Sequence, residues 1–103
     1  MNILASTQQD VARLFASREA DKMSRAAWSR GANGAPVLLG AAGTLECTLA
    51  AALEQSTHML VIGAVTAATH APDSDPLIFF RSTMHEGLGR LDDPLGAVPP
   101  AGR

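Results

Sequence analysis

The chain reads as mainly β, with one short α-helix near its N-terminus. Three stretches predict this. From Thr44 to Glu54, the apolar residues Leu45, Cys47, Leu49, Ala51 and Leu53 alternate with Thr44, Glu46, Thr48 and Glu54. That period of two marks a long strand with one apolar face. From His58 to Thr69 both faces are apolar, Leu60 and Ile62 against Val61 and Val65. A strand of that kind belongs inside a barrel, or between a sheet and another layer. Val11, Leu14 and Phe15 fall at i, i+3 and i+4, with Asp10 and Arg13 beside them. They predict an amphipathic helix of about two to three turns.

The other elements follow in order. Asn2-Ile3-Leu4 reads as the end of a strand, and Ser6-Thr7-Gln8-Gln9 has the spacing of a capping box for the helix. From Ser17 to Arg30 the pattern is looser, with Met23, Ala27 and Trp28 expected inward and Arg18, Lys22, Arg25 and Arg30 in water. Gly31 to Pro36 is a turn by composition, and Val37-Leu38-Leu39 a short strand. Gln55-Ser56-Thr57 turns the chain between the two long strands, and Gly63 suits a bend or bulge in the second. Pro72 to Pro76 is a loop, and Leu77-Ile78-Phe79-Phe80 a third strand ending at Arg81. Residues 1–91 are expected to form one domain and 92–103 a disordered tail. Three strands cannot close a barrel, so the open edges call for more strands or a partner chain.

Composition removes several classes of function. The chain has 103 residues and a formal net charge of -2, with no basic run, which excludes an electrostatic footprint for nucleic acid or anionic lipid. The longest strongly apolar stretch, Met59 to Ala68, is too short to span a bilayer as a helix. Met1 to Ser6 lacks the charged and apolar regions of a signal peptide. Cys47 is the single cysteine, so no internal disulfide can form. A soluble cytoplasmic protein is expected.

Few side chains suggest chemistry by pattern alone. His58, His70 and His85 share no ligand-like spacing, and His85-Glu86 lacks the second histidine of a zinc helix, so no metal is expected. Cys47 lies on the apolar face of its strand and reads as a small hydrophobe. Trp28 reads as packing. The glycines at 31–34 and 40–43 lack the ending of a phosphate loop. No serine has a recognisable histidine partner.

The order of motifs says more. Asn2-Ile3-Leu4 is followed by Gln8-Gln9-Asp10-Val11-Ala12-Arg13-Leu14-Phe15-Ala16, by Asp21-Lys22-Met23 and by Trp28. Then come Gly34-Ala35-Pro36-Val37-Leu38, Leu45-Glu46-Cys47, His58 and Ile62-Gly63-Ala64-Val65, and last Pro76-Leu77-Ile78-Phe79-Phe80-Arg81. This succession, from about Asn2 to Leu88, resembles the flavin reductase family, the NAD(P)H:flavin oxidoreductases that serve two-component monooxygenases. The resemblance implies a partial FMN-binding split β-barrel and reduction of FMN or FAD by NADH or NADPH. It also implies a homodimer with a monooxygenase component as partner. By the same resemblance His58 is the catalytic candidate, beside flavin and nicotinamide. Lys22 and Arg81 join His58 as cofactor-binding candidates, the two cations suited to a flavin phosphate. Read without the resemblance, each is an ordinary turn histidine or solvated cation.

This sequence departs from the family pattern in places. Ser56-Thr57 stands for Gly-Asp, Ser82 for the glycine after the arginine, and Met84 for a tyrosine. The family's N-terminal strands find no counterpart, so the expectation is the C-terminal portion of the domain, its activity in doubt because the N-terminal half is missing. The alternative is a truncated, non-catalytic remnant or flavin-binding module.

Overall fold

Two long strands dominate the computed structural model, which describes residues 1–86. β1 is Asn2–Ile3, α1 Gln9–Ala16, α2 Lys22–Arg25, β2 Trp28–Arg30 and β3 Pro36–Leu38. The long pair is β4, Gly43–Gln55, and β5, His58–His70, followed by β6, Leu77–Phe80, and β7, Thr83–Glu86. The three-stranded sheet runs β1-β4-β5, while β2-β3 and β6-β7 form two-stranded ribbons. The mainly β class and the short N-terminal helix are as expected. The tail expected at 92–103, with the boundary at 91, lies outside the described residues.

β4 and β5 pair antiparallel from Gly43↔His70 to Gln55↔His58. The register shifts twice, between Glu46 and Cys47 and between Leu49 and Ala51. Thr66 is the extra residue in β5 at the first shift, and Ala50 is the extra residue in β4 at the second. The strict alternation expected from Thr44 to Glu54 is therefore interrupted, because a bulge re-aims the side chains beyond it. Thr66 Oγ1 anchors the first bulge by donating to the Glu46 carbonyl at 3.1 Å. Gly63 lies at the second, where a Cβ would stand 3.0 Å from that of Cys47. The bulge expected at this glycine is present.

The base of the hairpin is tied to the rest of the chain. β1 pairs Asn2↔Thr44 and Ile3↔Gly43. The Asn2 amide Nδ2 donates to the Pro36 carbonyl at 3.3 Å. Its Oδ1 accepts from the Leu38 amide at 3.0 Å and from Thr44 Oγ1 at 3.4 Å. One side chain thus joins β1, β3 and β4. The loop before β6 closes on the same region: the Ser6 amide donates to the Asp75 carbonyl and the Leu77 amide to the Leu4 carbonyl, each at 2.8 Å. Ala5, bridged to Pro76, is the one fully buried apolar residue among those described.

Local details correct the sequence reading. Ser6 does not cap α1; Gln8 holds the N-cap position without a side-chain cap bond. The Gln8 amide instead accepts from the Ala5 N–H at 2.9 Å and donates to the Leu39 carbonyl at 2.8 Å. α2, β2 and β7 are additional elements, too short to show a period. The strand expected at Val37–Leu39 is Pro36–Leu38. No helix among the described residues is long and apolar enough to cross a membrane.

Beyond Cys47 the hairpin is bare. Leu49, Leu53, Met59, Leu60, Val61, Ile62 and Val65 are each more than half exposed. The covering layer that the two-sided apolar pattern demands is absent from the described part of the protomer.

Candidate functional site

A cleft of about 310 Å³ opens at the base, lined by Asn2, Leu4, Val11, Phe15, Met23, Pro36 and Leu38. All seven belong to the sequence motifs that carry the family resemblance, far apart in the chain and gathered here by folding. α1 brings Val11 and Phe15 to the cleft one turn apart. α2 brings Met23, and the Trp28 indole fixes that turn by donating to the Met23 carbonyl at 2.8 Å. The wall is apolar, and the one polar side chain, Asn2, spends its amide on the backbone of β3 and on Thr44.

Lys22 stands beside Met23 at the edge of this region. It is half-buried, and its Nζ donates to the Phe15 carbonyl at 3.0 Å, a cation at the C-terminal end of α1. The preceding Asp21 takes a left-handed backbone, φ 62°, which turns the chain into α2. Arg81 lies in the β6-β7 turn, exposed, with its guanidinium 5.2 Å from the centroid of the Phe80 ring. Among the described residues the ion pair is Arg25 with Glu19, so neither Lys22 nor Arg81 is matched to a carboxylate there.

His58 is at the opposite end of the hairpin. It opens β5 at the tip, exposed, with Nδ1 3.1 Å from Thr57 Oγ1. Cys47, the outermost residue of β4 held by a hydrogen bond from outside the hairpin, accepts from Asn33 Nδ2 at 3.1 Å. From there to Gln55, the partner of His58, the strand runs about 25 Å at about 3.4 Å per residue. Lys22, Arg81 and His58 therefore each find local partners, and no hydrogen bond joins any two of them. The motif order identified the residues but not this separation.

A second cleft of about 230 Å³ is polar, lined by Ser6, Gln9, Leu77, Met84, His85 and Glu86. Met84, in place of the family's tyrosine, lies in its wall. The His85 Nε2 lies 3.4 Å from the Phe80 carbonyl. Among the described residues no three His, Cys, Asp or Glu side chains group to hold a metal ion. Cys47 is half-buried and free, with its Sγ 3.8 Å from the Leu45 carbonyl.

The Flavin reductase like domain matches residues 1–88. The chain belongs to this family. The match takes in nearly the whole chain, which corrects the expectation of a C-terminal portion whose N-terminal half is missing, and the doubt about activity drawn from it. The chain is 32% identical over 83 residues to the reductase subunit HsaB of a flavin-dependent monooxygenase from Mycobacterium tuberculosis, covering 79% of this chain and 44% of the relative. It is 31% identical over 87 residues to the FMN reductase (NADH) RutF of Stutzerimonas stutzeri, covering 82% and 50%. The chain thus spans about half the length of the curated relatives it matches. Among solved structures, the NADH:FAD oxidoreductase SgcE6 of Streptomyces globisporus aligns with a TM-score of 0.79 at 28% identity, over 88% of this chain and 56% of the other. BorF, the flavin reductase component of a bacterial two-component tryptophan halogenase, aligns at 0.74 and 31%, over 86% and 59%. The fold is that of the flavin reductase split barrels.

The side chains fit a flavin in kind. A flavin nucleotide needs cations at its phosphate, which Lys22 and Arg81 can supply. Its ring and the nicotinamide carboxamide need a hydrogen-bonding group, which His58 can supply.

Proposed function

We propose that this chain reduces FMN or FAD with NADH or NADPH, as the reductase side of a two-component monooxygenase or a related flavin-dependent oxygenase. One observation carries the reading: the residues of the family motifs, scattered between positions 2 and 38, meet in a single cleft with Lys22 at its edge. The names of the relatives support the chemistry. Bound flavin would take a hydride from the nicotinamide and carry the electrons.

The chain's own residues bind and orient. Lys22 and Arg81 hold the flavin phosphate as point charge and planar fork respectively. His58 hydrogen-bonds the ring or the nicotinamide amide and sets the distance between donor and acceptor. The protein works as a homodimer, which covers the bare hairpin, and in the cytoplasm, a setting that suits a chain with one free cysteine. A second reading, a flavin-binding module without turnover, is favoured by Ser56-Thr57 and Met84, the positions that depart from the family pattern.

The test is nicotinamide oxidation by the purified chain with FMN and with FAD. Flavin-dependent oxidation is expected, with Lys22→Ala raising the KM for flavin and His58→Ala lowering kcat. Flavin binding without oxidation would select the module. Neither binding nor oxidation by a folded chain would remove both readings.

A further inference from the structure

We infer that the hairpin tip of one protomer seats against the cleft of a second copy, so that each flavin site combines Lys22 of one chain with His58 of the other. The inference rests on the flavin reading above and adds to it where the site lies.

Three observations lead there. The first is separation. His58 stands about 25 Å beyond the last point where another part of the described chain holds the hairpin, whereas Lys22 is fixed at its base. One protomer cannot bring the two to one cofactor without breaking the β4-β5 ladder. The second is the tip itself. Leu53 pairs with Leu60 and Gln55 with His58, and residues two apart on a strand share a face. Leu53 and Leu60, each 55% exposed, thus lie on the same face as His58. Burying those leucines in an apolar cleft carries His58 with them, and the cleft edged by Lys22 is apolar on six of its seven lining residues.

The third is charge. From Gly43 to His70 the hairpin carries Glu46 and Glu54 and no Lys or Arg. From Arg13 to Arg30 the base carries Arg13, Arg18, Lys22, Arg25 and Arg30 against Glu19 and Asp21. Side-by-side hairpins running in the same direction would stack Glu54 on Glu54. Running oppositely, they set the acidic tip of each against the basic base of the other. Such a pairing is self-complementary under a two-fold axis, the commonest symmetry of soluble dimers. It repeats the tip-in-cleft contact twice and covers the exposed apolar faces between the two contacts.

The experiment uses full-length chains carrying His58→Ala or Lys22→Ala, co-expressed with different tags so that the doubly tagged dimer can be isolated, and titrated with FMN. Each substitution alters an exposed or half-buried side chain and leaves the fold intact. Each single-variant dimer is expected to bind FMN roughly tenfold or more weakly than wild type. In the mixed dimer one site carries both lesions and the other carries none, so one site per dimer regains wild-type affinity. If both variants bind weakly and the mixed dimer regains no tight site, the two residues act within one chain and the inference is overturned while the flavin reading stands. If neither variant weakens FMN binding, the flavin assignment of these residues fails and the inference with it. A wild-type chain that sediments as a monomer while binding FMN also overturns it. Leu60→Asp tests the seating independently: it is expected to convert dimer to monomer, and an unchanged dimer would overturn the docking.

Discussion

The lower and upper parts of the β4-β5 hairpin are built from the same kind of sequence and meet different fates. Up to Cys47, the hairpin is gripped by β1, by the Asn2 amide and by the β2-β3 turn, whose Asn33 contributes its backbone N–H to Glu46 Oε1 at 3.2 Å and its Nδ2 to the Cys47 carbonyl. Gly31 makes that approach possible, since a Cβ there would stand 2.7 Å from the Glu46 carboxyl carbon and 3.0 Å from a Val37 methyl. From Leu49 outward, apolar residues of equal size touch nothing outside the hairpin and stay more than half exposed. A ladder of backbone hydrogen bonds can extend a strand pair, but only a second layer gives its apolar faces a reason to persist in water.

The largest expected effect breaks the upper part alone. Leu49 is 65% exposed in the protomer, so Leu49→Ala should change the stability of a dissociated chain little. If the upper hairpin is covered in the assembly, the same change should cost about 2–3 kcal/mol per subunit when the protein is dimeric. Urea unfolding at high and at low protein concentration separates the two. Equal midpoint shifts at both concentrations would mean that nothing covers this face.

The lower part is held by polar bonds. Asn2→Ala strands the Leu38 N–H and the Pro36 carbonyl and should cost about 2 kcal/mol, read by thermal or urea unfolding. Asn2→Asp keeps the acceptor for Leu38 and Thr44 and should cost less. At the boundary between the parts, Gly63→Ala presses a methyl to 3.0 Å from the Cys47 Cβ and should cost about 1 kcal/mol. Adding Cys47→Gly should recover much of it, and no recovery would mean that the strain lies elsewhere.

The smallest effect is a gain. Arg81 and Ser82, at φ 52° and 61°, both occupy the left-handed region in the two-residue turn between β6 and β7. Such turns suit glycine at no steric cost. Ser82→Gly should stabilise the ribbon by about 0.5–1 kcal/mol, seen as a raised Tm. A lowered Tm would show that the serine contributes something the turn geometry does not reveal.

What the sequence made legible follows the same division. β4, β5 and α1 are long enough for their periods to show, and β6 is a dense apolar run. β2, β7 and α2 are three or four residues long, and no period can be read from so few. The cap on α1 was misassigned because Gln8 uses its long amide to join Ala5 to Leu39, a tertiary bond that local spacing does not encode. Periodicity also states which faces want cover without saying what covers them, so the exposure of the upper hairpin was not foreseen. For the site, the motif order pointed to Lys22, His58 and Arg81. The convergence of Asn2, Leu4, Val11, Phe15, Met23, Pro36 and Leu38 on one cleft was not drawn from it, although those positions are the motifs themselves. The length of β5 could have warned that its first residue lies far from the base.

The most direct measurement is an FMN titration of the 103-residue chain, followed by flavin fluorescence, with light scattering to confirm that it is folded and monodisperse. The account predicts saturable binding in the micromolar range, weakened roughly tenfold by Lys22→Ala, a loss of about 1.4 kcal/mol. A folded, monodisperse chain that leaves the fluorescence unchanged would contradict it.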